Sequence, residues 1–579
     1  MSATAVVHAG QGRSAGEADA DPVATEVLRH ALQSAAEQMK RAYVRTAFSP
    51  IIYEARDFAT ALYDRDVRLL AEASGLPLFM GTMSFCVRAA VDAVGGEDAL
   101  APGDIVLYNE PYGTGSHPQD LSVVMPVFSG SELVGYATLK GHWLDIGGKE
   151  PYSTDTVDVF QEGTIFPGVK LYDGGALVRD VYRLVTANSR VPKLVAGDLN
   201  AEVVGVRAGG AALLRVIELR GLETFRELSE RMFDASEAVV RSYFERIPDG
   251  RYVGHGVMDD NGLDDERVPF EVALEVSGSD VRVDYTAAPD QSAGPINCPQ
   301  PSTVSASRIA VAFLAGAGES PNEGHFRPID VVTRPGSVFH PLPPAPCFLY
   351  GWIAQQAVEV IFEAVSTVLP ENVPACSGMD TCGLIWWGTR EASGEPWADG
   401  SPHPVGQGAT AHADGASSLI HITESATRFS PVEVWESRNP WLVETVRLAP
   451  DSCGPGRQRG GLGVDLHFRM LEDSWVTTAV DRTLTPPWGI AGGGVGRPNA
   501  VAIRHADGTH SARRGKSTRV RVPKGATLEL HTGGGGGFGP AQERATAAVL
   551  EDLREGYVTE QHARLHYPHA FANTDNEGA

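Results

Sequence analysis

The sequence predicts a multi-domain α+β protein with mixed and antiparallel sheets and packed helices, and three patterns predict it. Several segments repeat apolar residues at helical spacing, short alternating segments lie between them, and the last third is rich in glycine and strand-like. A regular succession of strand and helix, the mark of a doubly wound parallel sheet, is absent.

Residues 1–21 contain Ala, Gly, Ser and acidic side chains but no apolar core behind positive charge, so they read as a disordered tail rather than a secretory signal. Asp21-Pro22 marks a helix start, with Asp as cap and Pro in the first turn. Val23, Val27, Leu28, Ala31, Leu32, Ala35, Met39 and Tyr43 then form one apolar face. Strands are predicted at residues 60–63 and 105–108, and a hairpin at 121–128 and 133–139 turning at Ser129-Gly130-Ser131. Residues 213–244 read as one helical stretch ended by Pro248-Asp249-Gly250. Alternation returns at 267–272 and 281–285, followed by helices near 304–314 and 353–365 and a terminal helix near 545–553. The expected regions are the tail, a metal-binding α/β region at 22–250, a central α+β region at 251–440, and a glycine-rich β region with its terminal helix at 441–579.

Composition excludes several functions. The 579 residues suffice to bury cores without disulfides or structural metals. Forty-eight basic against 73 acidic residues give a formal charge of −25, which opposes binding to nucleic acid or an anionic membrane. Six cysteines without CxxC spacing point to a reducing compartment, and no run approaches the ~18 apolar residues of a membrane span. A cytoplasmic enzyme is the expectation.

The chemistry concentrates in two histidine/aspartate pairs of the same spacing. His117 and Asp120 follow Gly113-Thr114-Gly115-Ser116, and His142 and Asp145 precede Ile146-Gly147-Gly148. Imidazole nitrogen with carboxylate oxygen suits Zn²⁺, Mn²⁺ or Fe²⁺, and few protein ligands leave a position open for water. The hairpin between the pairs would return His117 and His142 to one end of a sheet.

These residues resemble a known family. Asn109-Glu110-Pro111-Tyr112 leading into the glycine-rich HxxD is similar to the signature of the hydantoinase B/oxoprolinase family, which includes the large subunits of acetone and acetophenone carboxylases. The resemblance extends through Arg45 to Pro50, Arg56-Asp57-Phe58, Phe160 to Gly163, Pro167 to Tyr172, Gly294 to Asn297, Pro343 to Pro346, Gly454 to Gly463 and Gly533 to Gly539, in the family's order and over about residues 22 to 567. Two departures bear on pocket shape: Glu110 stands where relatives usually have Asp, and Pro118-Gln119 where they usually have Leu-Pro.

The resemblance implies a hydantoinase B-like fold and a divalent metal held by His117, Asp120 and His142. It also implies a hetero-oligomer in which a partner of the hydantoinase A type holds ATP and Mg and phosphorylates the carbonyl oxygen of a cyclic amide. The leading expectation is the metal subunit of such a hydrolase, acting on a hydantoin, 5-oxoproline or a lactam. The alternatives are a subunit of an ATP-dependent, biotin-independent ketone carboxylase and a non-catalytic scaffold for the ATP-dependent partner. Asp57 is a candidate further ligand or anchor, or else caps a turn. Asp145 either orients His142 or accepts hydrogen bonds from the backbone of residues 146–148. Glu110 and Glu150 are candidate bases whose bland reading is structural or solvated.

Other motifs weigh less. Gly515-Lys516-Ser517-Thr518 mimics the end of a phosphate-binding loop, but His510 occupies the place of the first glycine and a strand follows at once, so a basic turn is expected. Gly533 to Gly537 reads as a flexible turn packed on the core rather than a phosphate cradle. His403, His412 and His421 read as loop histidines, Cys298 as a buried thiol, and Trp386-Trp387 as packing.

Overall fold

The structure is a computed structural model that describes residues 22–316, 321–512 and 515–572. The expected tail and its capping Asp21 lie outside these residues. Helix α1 (Pro22–Thr46) begins where proline predicts it and buries Thr25, Leu28, Leu32, Ala35, Ala36, Met39 and Tyr43. Val23 and Val27 depart from the predicted face, being 63% and 47% exposed. The buried positions run at i, i+3 and i+7 from Thr25 and at i, i+3, i+4 and i+7 from Leu32, and residues 23 and 27 fall off that stripe.

The metal-region residues sit on a seven-stranded sheet made of β1 (Phe58–Asp64), β2 (Leu69–Ala73), β3 (Ile105–Tyr108), β4 (Asp120–Ser129), β5 (Glu132–His142), β6 (Pro167–Asp173) and β7 (Ala176–Leu177). Its order is β2-β1-β5-β4-β3-β6-β7, with every neighbouring pair antiparallel. Strand alternation feeds two cores. Phe58, Leu62, Ile105, Leu107, Leu121 and Leu139 face α1 and the helix Pro192–Arg220. Ala61, Tyr63, Val106 and Tyr108 face Met83, Val87, Ala310 and Ile353 on the other side. Cover on both faces explains why β1 and β3 are buried at every position.

The stretch expected as one helix over 213–244 is two, Pro192–Arg220 and Leu222–Phe244, divided at Gly221 with φ +80°. The first begins well before residue 213. Glycines obscured it in the sequence, yet they are contact points: a Cβ on Gly209 would lie 2.5 Å from Met39 Sδ of α1.

A second sheet orders Ile329–Val332, Asp280–Asp284, Val268–Ser277 and Gly250–Met258, with the predicted helices observed at Gln300–Leu314 and Tyr350–Ser366. A third orders Pro396–Ser401, Gly383–Thr389, Ser474–Ala479 and Ser517–Val522, joining chain from both sides of residue 440. A fourth orders Trp441–Leu448, Val464–Met470, Thr527–His531 and Ala500–Arg504, and Thr546–Arg554 forms the expected late helix.

The segment from Gly533 to Gly537 corrects the expected flexible turn. It is buried and threads between other backbones, and its five amides donate to Asn499 Oδ1, Arg497 O, Gly461 O, Cys376 O and Gly494 O. A Cβ on Gly535 would stand 1.9 Å from the carbonyl oxygen of Gln407, so the absence of side chains permits the packing. No amide of this run is left for a phosphate. Lys516 lies in the basic turn expected before the strand Ser517–Val522, and its side chain is fully buried, with Nζ 3.2 Å from Asp260 Oδ1 and paired with Asp481.

All six cysteines are free and buried, and burial pushes the Cys298 thiol up to about 12. Among the described residues no helix is long and apolar enough to cross a membrane.

Candidate metal centre

The β4–β5 hairpin turns where the sequence places it and sets Asp120 opposite His142 in register. His117 enters from the loop just before β4. A buried lysine holds that loop: Lys140 Nζ, on β5, donates to the Thr114 carbonyl at 2.8 Å, to Thr82 Oγ1 at 2.8 Å and to Ser116 Oγ at 3.2 Å. Asn109 ties it from the other flank, donating to the Pro118 carbonyl at 2.8 Å and accepting from Phe166 N. Neutral and charged donors are thus used to fix the backbone that carries His117.

Three side-chain atoms converge. His117 Nε2, His142 Nδ1 and Asp120 Oδ1 are separated by 3.2, 2.9 and 3.1 Å, and the three residues are buried. His117 Nδ1 lies 2.9 Å from the Phe348 carbonyl oxygen, an acceptor, so that nitrogen carries the proton and Nε2 is bare. In the tautomer with its proton on Nδ1, His117 turns a bare Nε2 toward Asp120 Oδ1. A cation at the centre satisfies all three atoms, and ligands at the usual ~2.1 Å from an ion at right angles to one another stand about 3 Å apart. The residues fit a divalent metal. Tyr350 completes the support, donating its hydroxyl to Asp120 Oδ2 at 2.9 Å.

The triad opens into a pocket whose other lining includes Asp57, Phe79, Tyr152, Tyr350, Trp352, Thr381 and Glu424. Burial raises the Asp57 carboxyl to about 7, with the Asp120 charge adding and His142 opposing. Its Oδ1 is buried without a hydrogen-bond partner, and its carbonyl accepts from His142 N at 3.1 Å. Glu424 is also raised to about 7 by burial, against hydrogen bonds from Thr381 and Gln355. Asp120 differs. Burial acts against its charge, but without a metal the positive charge and hydrogen bonds of the two imidazoles, when they carry the protons, outweigh it and hold the carboxyl well below the usual range.

The other candidates stand elsewhere. Glu110 caps the short helix Pro111–Thr114, accepting from Gly113 N at 3.1 Å and Tyr108 Oη at 3.2 Å, outside the pocket lining. Asp145 turns away from His142, accepting from Gly147 N at 3.2 Å as its second reading expects, and from Arg190, whose Nη1 is 2.5 Å from Oδ1 and whose backbone N–H also binds it. Glu150 pairs with Arg519. His403 is buried against the Cys382 carbonyl and pushed down to about 4 by burial, His421 pairs with Glu359 at 3.3 Å, and His412 is exposed, so the three do not meet. Trp386 is buried against Trp441.

Tyr350, Trp352, Tyr152 and Glu424 were not legible as site residues. The signal for two of them was the aromatic run Phe348-Leu349-Tyr350-Gly351-Trp352 between a proline-rich stretch and an apolar helix. Glu424 carries no local motif.

The family model for hydantoinase B/oxoprolinase matches residues 21–541. A provisionally named D-/L-hydantoinase component of the B type from Pseudomonas sp. (strain NS671) is 30% identical over 96% of each chain. The crystal structure of ATP-dependent caprolactamase from Pseudomonas jessenii superposes with a TM-score of 0.87 at 26% identity, covering 94% of this chain and 96% of that one. A nucleotide-free acetone carboxylase structure superposes at 0.86 and 19% identity, covering 96% of this chain and 80% of that one, a likeness of fold. With the family model spanning nearly the whole sequence, this chain belongs to the hydantoinase B/oxoprolinase family.

Proposed function

We propose that the chain is the metal-bearing subunit of an ATP-dependent cyclic-amide hydrolase, working on a carbonyl that a hydantoinase A-type partner has phosphorylated. The observation that carries this reading is the convergence of His117 Nε2, Asp120 Oδ1 and His142 Nδ1 at the wall of a pocket. Relatives named as components of a hydantoinase and of a caprolactamase support the substrate class and a partner. The occupied amides of the 533–537 run and the buried Lys516 support placing ATP on that partner.

His117, Asp120 and His142 would hold Zn²⁺, Mn²⁺ or Fe²⁺. When bound, such an ion supplies Lewis acidity and brings the pKa of a water toward neutrality. The chain's own groups do the rest. Asp57 Oδ1, unpartnered and titrating near neutrality, accepts a proton from the attacking water. Glu424, raised to a similar value, returns one to the ring nitrogen as the C–N bond opens, leaving a ring-opened acyl phosphate that a second water cleaves to the carboxylate and inorganic phosphate. Phe79, Tyr152 and Trp352 supply the apolar wall that limits water. Phosphorylation of the carbonyl oxygen by the partner removes the amide resonance that otherwise slows attack.

The test measures ADP and ring-opened product in one reaction, using both subunits co-expressed and shown to assemble by size-exclusion chromatography. Asp120→Asn is expected to cut product far more than initial substrate-dependent ATP cleavage. Normal product per ATP would assign Asp120 a structural role. Incorporation of labelled bicarbonate into product would replace hydrolysis by carboxylation.

A further inference from the structure

The acceptor that fixes the His117 ring, the Phe348 carbonyl oxygen 2.9 Å from Nδ1, belongs to a stretch of chain that forms neither helix nor strand. Backbone groups buried in such a stretch need partners that no ladder supplies. Residues 346–349 find them one by one. The Pro346 carbonyl accepts from Asn297 Nδ2 at 2.8 Å, Cys347 N and Phe348 N donate to Glu162 Oε1 at 2.8 and 2.9 Å, and Leu349 N donates to the Pro295 carbonyl at 2.8 Å. The segments Phe160 to Gly163, Gly294 to Asn297 and Pro343 to Pro346, none of which enters the chemistry above, thus meet beside the metal centre.

Glu162 is the hub of this arrangement. It is fully buried just after the turn Val159–Gln161, and Thr156 Oγ1 gives the same carboxyl oxygen a third hydrogen bond at 2.9 Å. Its backbone carbonyl accepts from Gln119 Nε2 at 2.7 Å, and Gln119 immediately precedes Asp120. One residue therefore grips both the strap that sets the His117 ring and the loop that joins His117 to Asp120.

The strap decides where the His117 proton sits. Two successive amides on one oxygen fix the backbone on the near side of the Phe348–Leu349 peptide, and Leu349 N on Pro295 fixes the far side, so the Phe348 carbonyl is left pointing at Nδ1. A carbonyl turned elsewhere would leave Nδ1 without an acceptor, and the neutral ring would gain more by placing its proton on Nε2, 3.1 Å from Asp120 Oδ1. That proton would occupy the place of an ion. We propose that Glu162 is a positioning residue of the metal centre, holding through Cys347 and Phe348 the carbonyl that keeps the His117 proton on Nδ1 and leaves Nε2 bare. The proposal rests on the metal-binding part of the reading above and on none of its reaction steps.

The experiment compares wild type with Glu162→Leu, Glu162→Gln and Glu162→Asp as purified full-length chains carrying isotopically labelled histidine. In metal-free protein the His117 ring is identified by NMR as the signal that His117→Ala removes. Its proton is expected on Nδ1 in wild type and in Glu162→Gln, whose amide oxygen can accept the same bonds, and to move to Nε2 in Glu162→Leu. Zn²⁺ affinity by chelator competition should fall by about 10- to 100-fold in Glu162→Leu and stay within about threefold of wild type in Glu162→Gln. Glu162→Asp keeps a carboxyl but withdraws it from the two amides by one methylene, so it should share the losses of Glu162→Leu and decides the matter if that variant does not fold. An unchanged tautomer with unchanged Zn²⁺ affinity in the folded Leu or Asp variant would overturn the proposal, as would a Glu162→Gln protein impaired as much as Glu162→Leu. Failure of wild type to bind Zn²⁺ would sink the metal reading instead, and the tautomer, read without metal, would still decide the role of Glu162.

Discussion

Two buried clusters of charge in this molecule invite comparison, and they differ in one component. Around Asp481, the chain supplies its own cation: Lys516 Nζ reaches Asp481 and Asp260, and Asp481 Oδ1 also accepts from Arg482 N at 2.7 Å. Around Asp120, two imidazoles and a carboxylate face one another, and the one proton fixed by the surroundings points away to the Phe348 carbonyl. Lys140, two residues before His142, is no substitute, because its ammonium is spent on the loop at Thr114 and Ser116. Like carboxylates thus reach opposite solutions. One cluster is complete in the polypeptide, and the other has the donor set and spacing to take a cation from outside.

Breaking each cluster separates them. The largest effect is expected from His117→Ala/His142→Ala in the assembled enzyme, where product formation should fall by about a thousandfold or more while the fold survives. Circular dichroism and single-turnover product yield check this together. Lys516→Met should do the reverse, costing about 3–5 kcal/mol of stability because it strands buried carboxylates, with metal content per folded chain unchanged. Denaturant unfolding followed by elemental analysis reads both quantities. Tyr350→Phe removes only the bond to Asp120 Oδ2, and metal affinity measured by chelator competition should drop by about 10- to 100-fold.

A pH-dependent effect sharpens the distinction between charged and neutral buried acids. Glu162 accepts from Cys347 N, Phe348 N and Thr156 Oγ1, yet burial lifts it to about 8. The folded chain therefore keeps a proton that the unfolded chain releases near 4.5, so this group's contribution to stability falls as pH rises from about 4.5 to 8. Glu162→Gln should flatten that part of the stability curve, a change read from denaturation midpoints at pH 5 and pH 8.5.

The sequence made the hairpin legible because alternation and a turn triplet are local, and with it the meeting of His117, Asp120 and His142. Asp57 was legible through its motif. It reaches the pocket because β1 pairs with β5, setting Phe58 against Gly141. Glu110 and Asp145 show the limit of spacing. Both lie near the right residues in sequence, but one is consumed as a helix cap and the other by Arg190 from 45 residues away. Glu424 and Tyr350 arrive from more than 200 residues beyond His117, a distance across which no periodicity reports. The helix before residue 213 was hidden for a different reason, since glycines that weaken a helical pattern are what let it approach α1.

Elemental analysis of gently purified protein tests the central claim most directly. The three-ligand arrangement predicts about one transition-metal ion per wild-type chain and none in a folded His117→Ala/His142→Ala variant. Stoichiometric metal retained by that variant would contradict it.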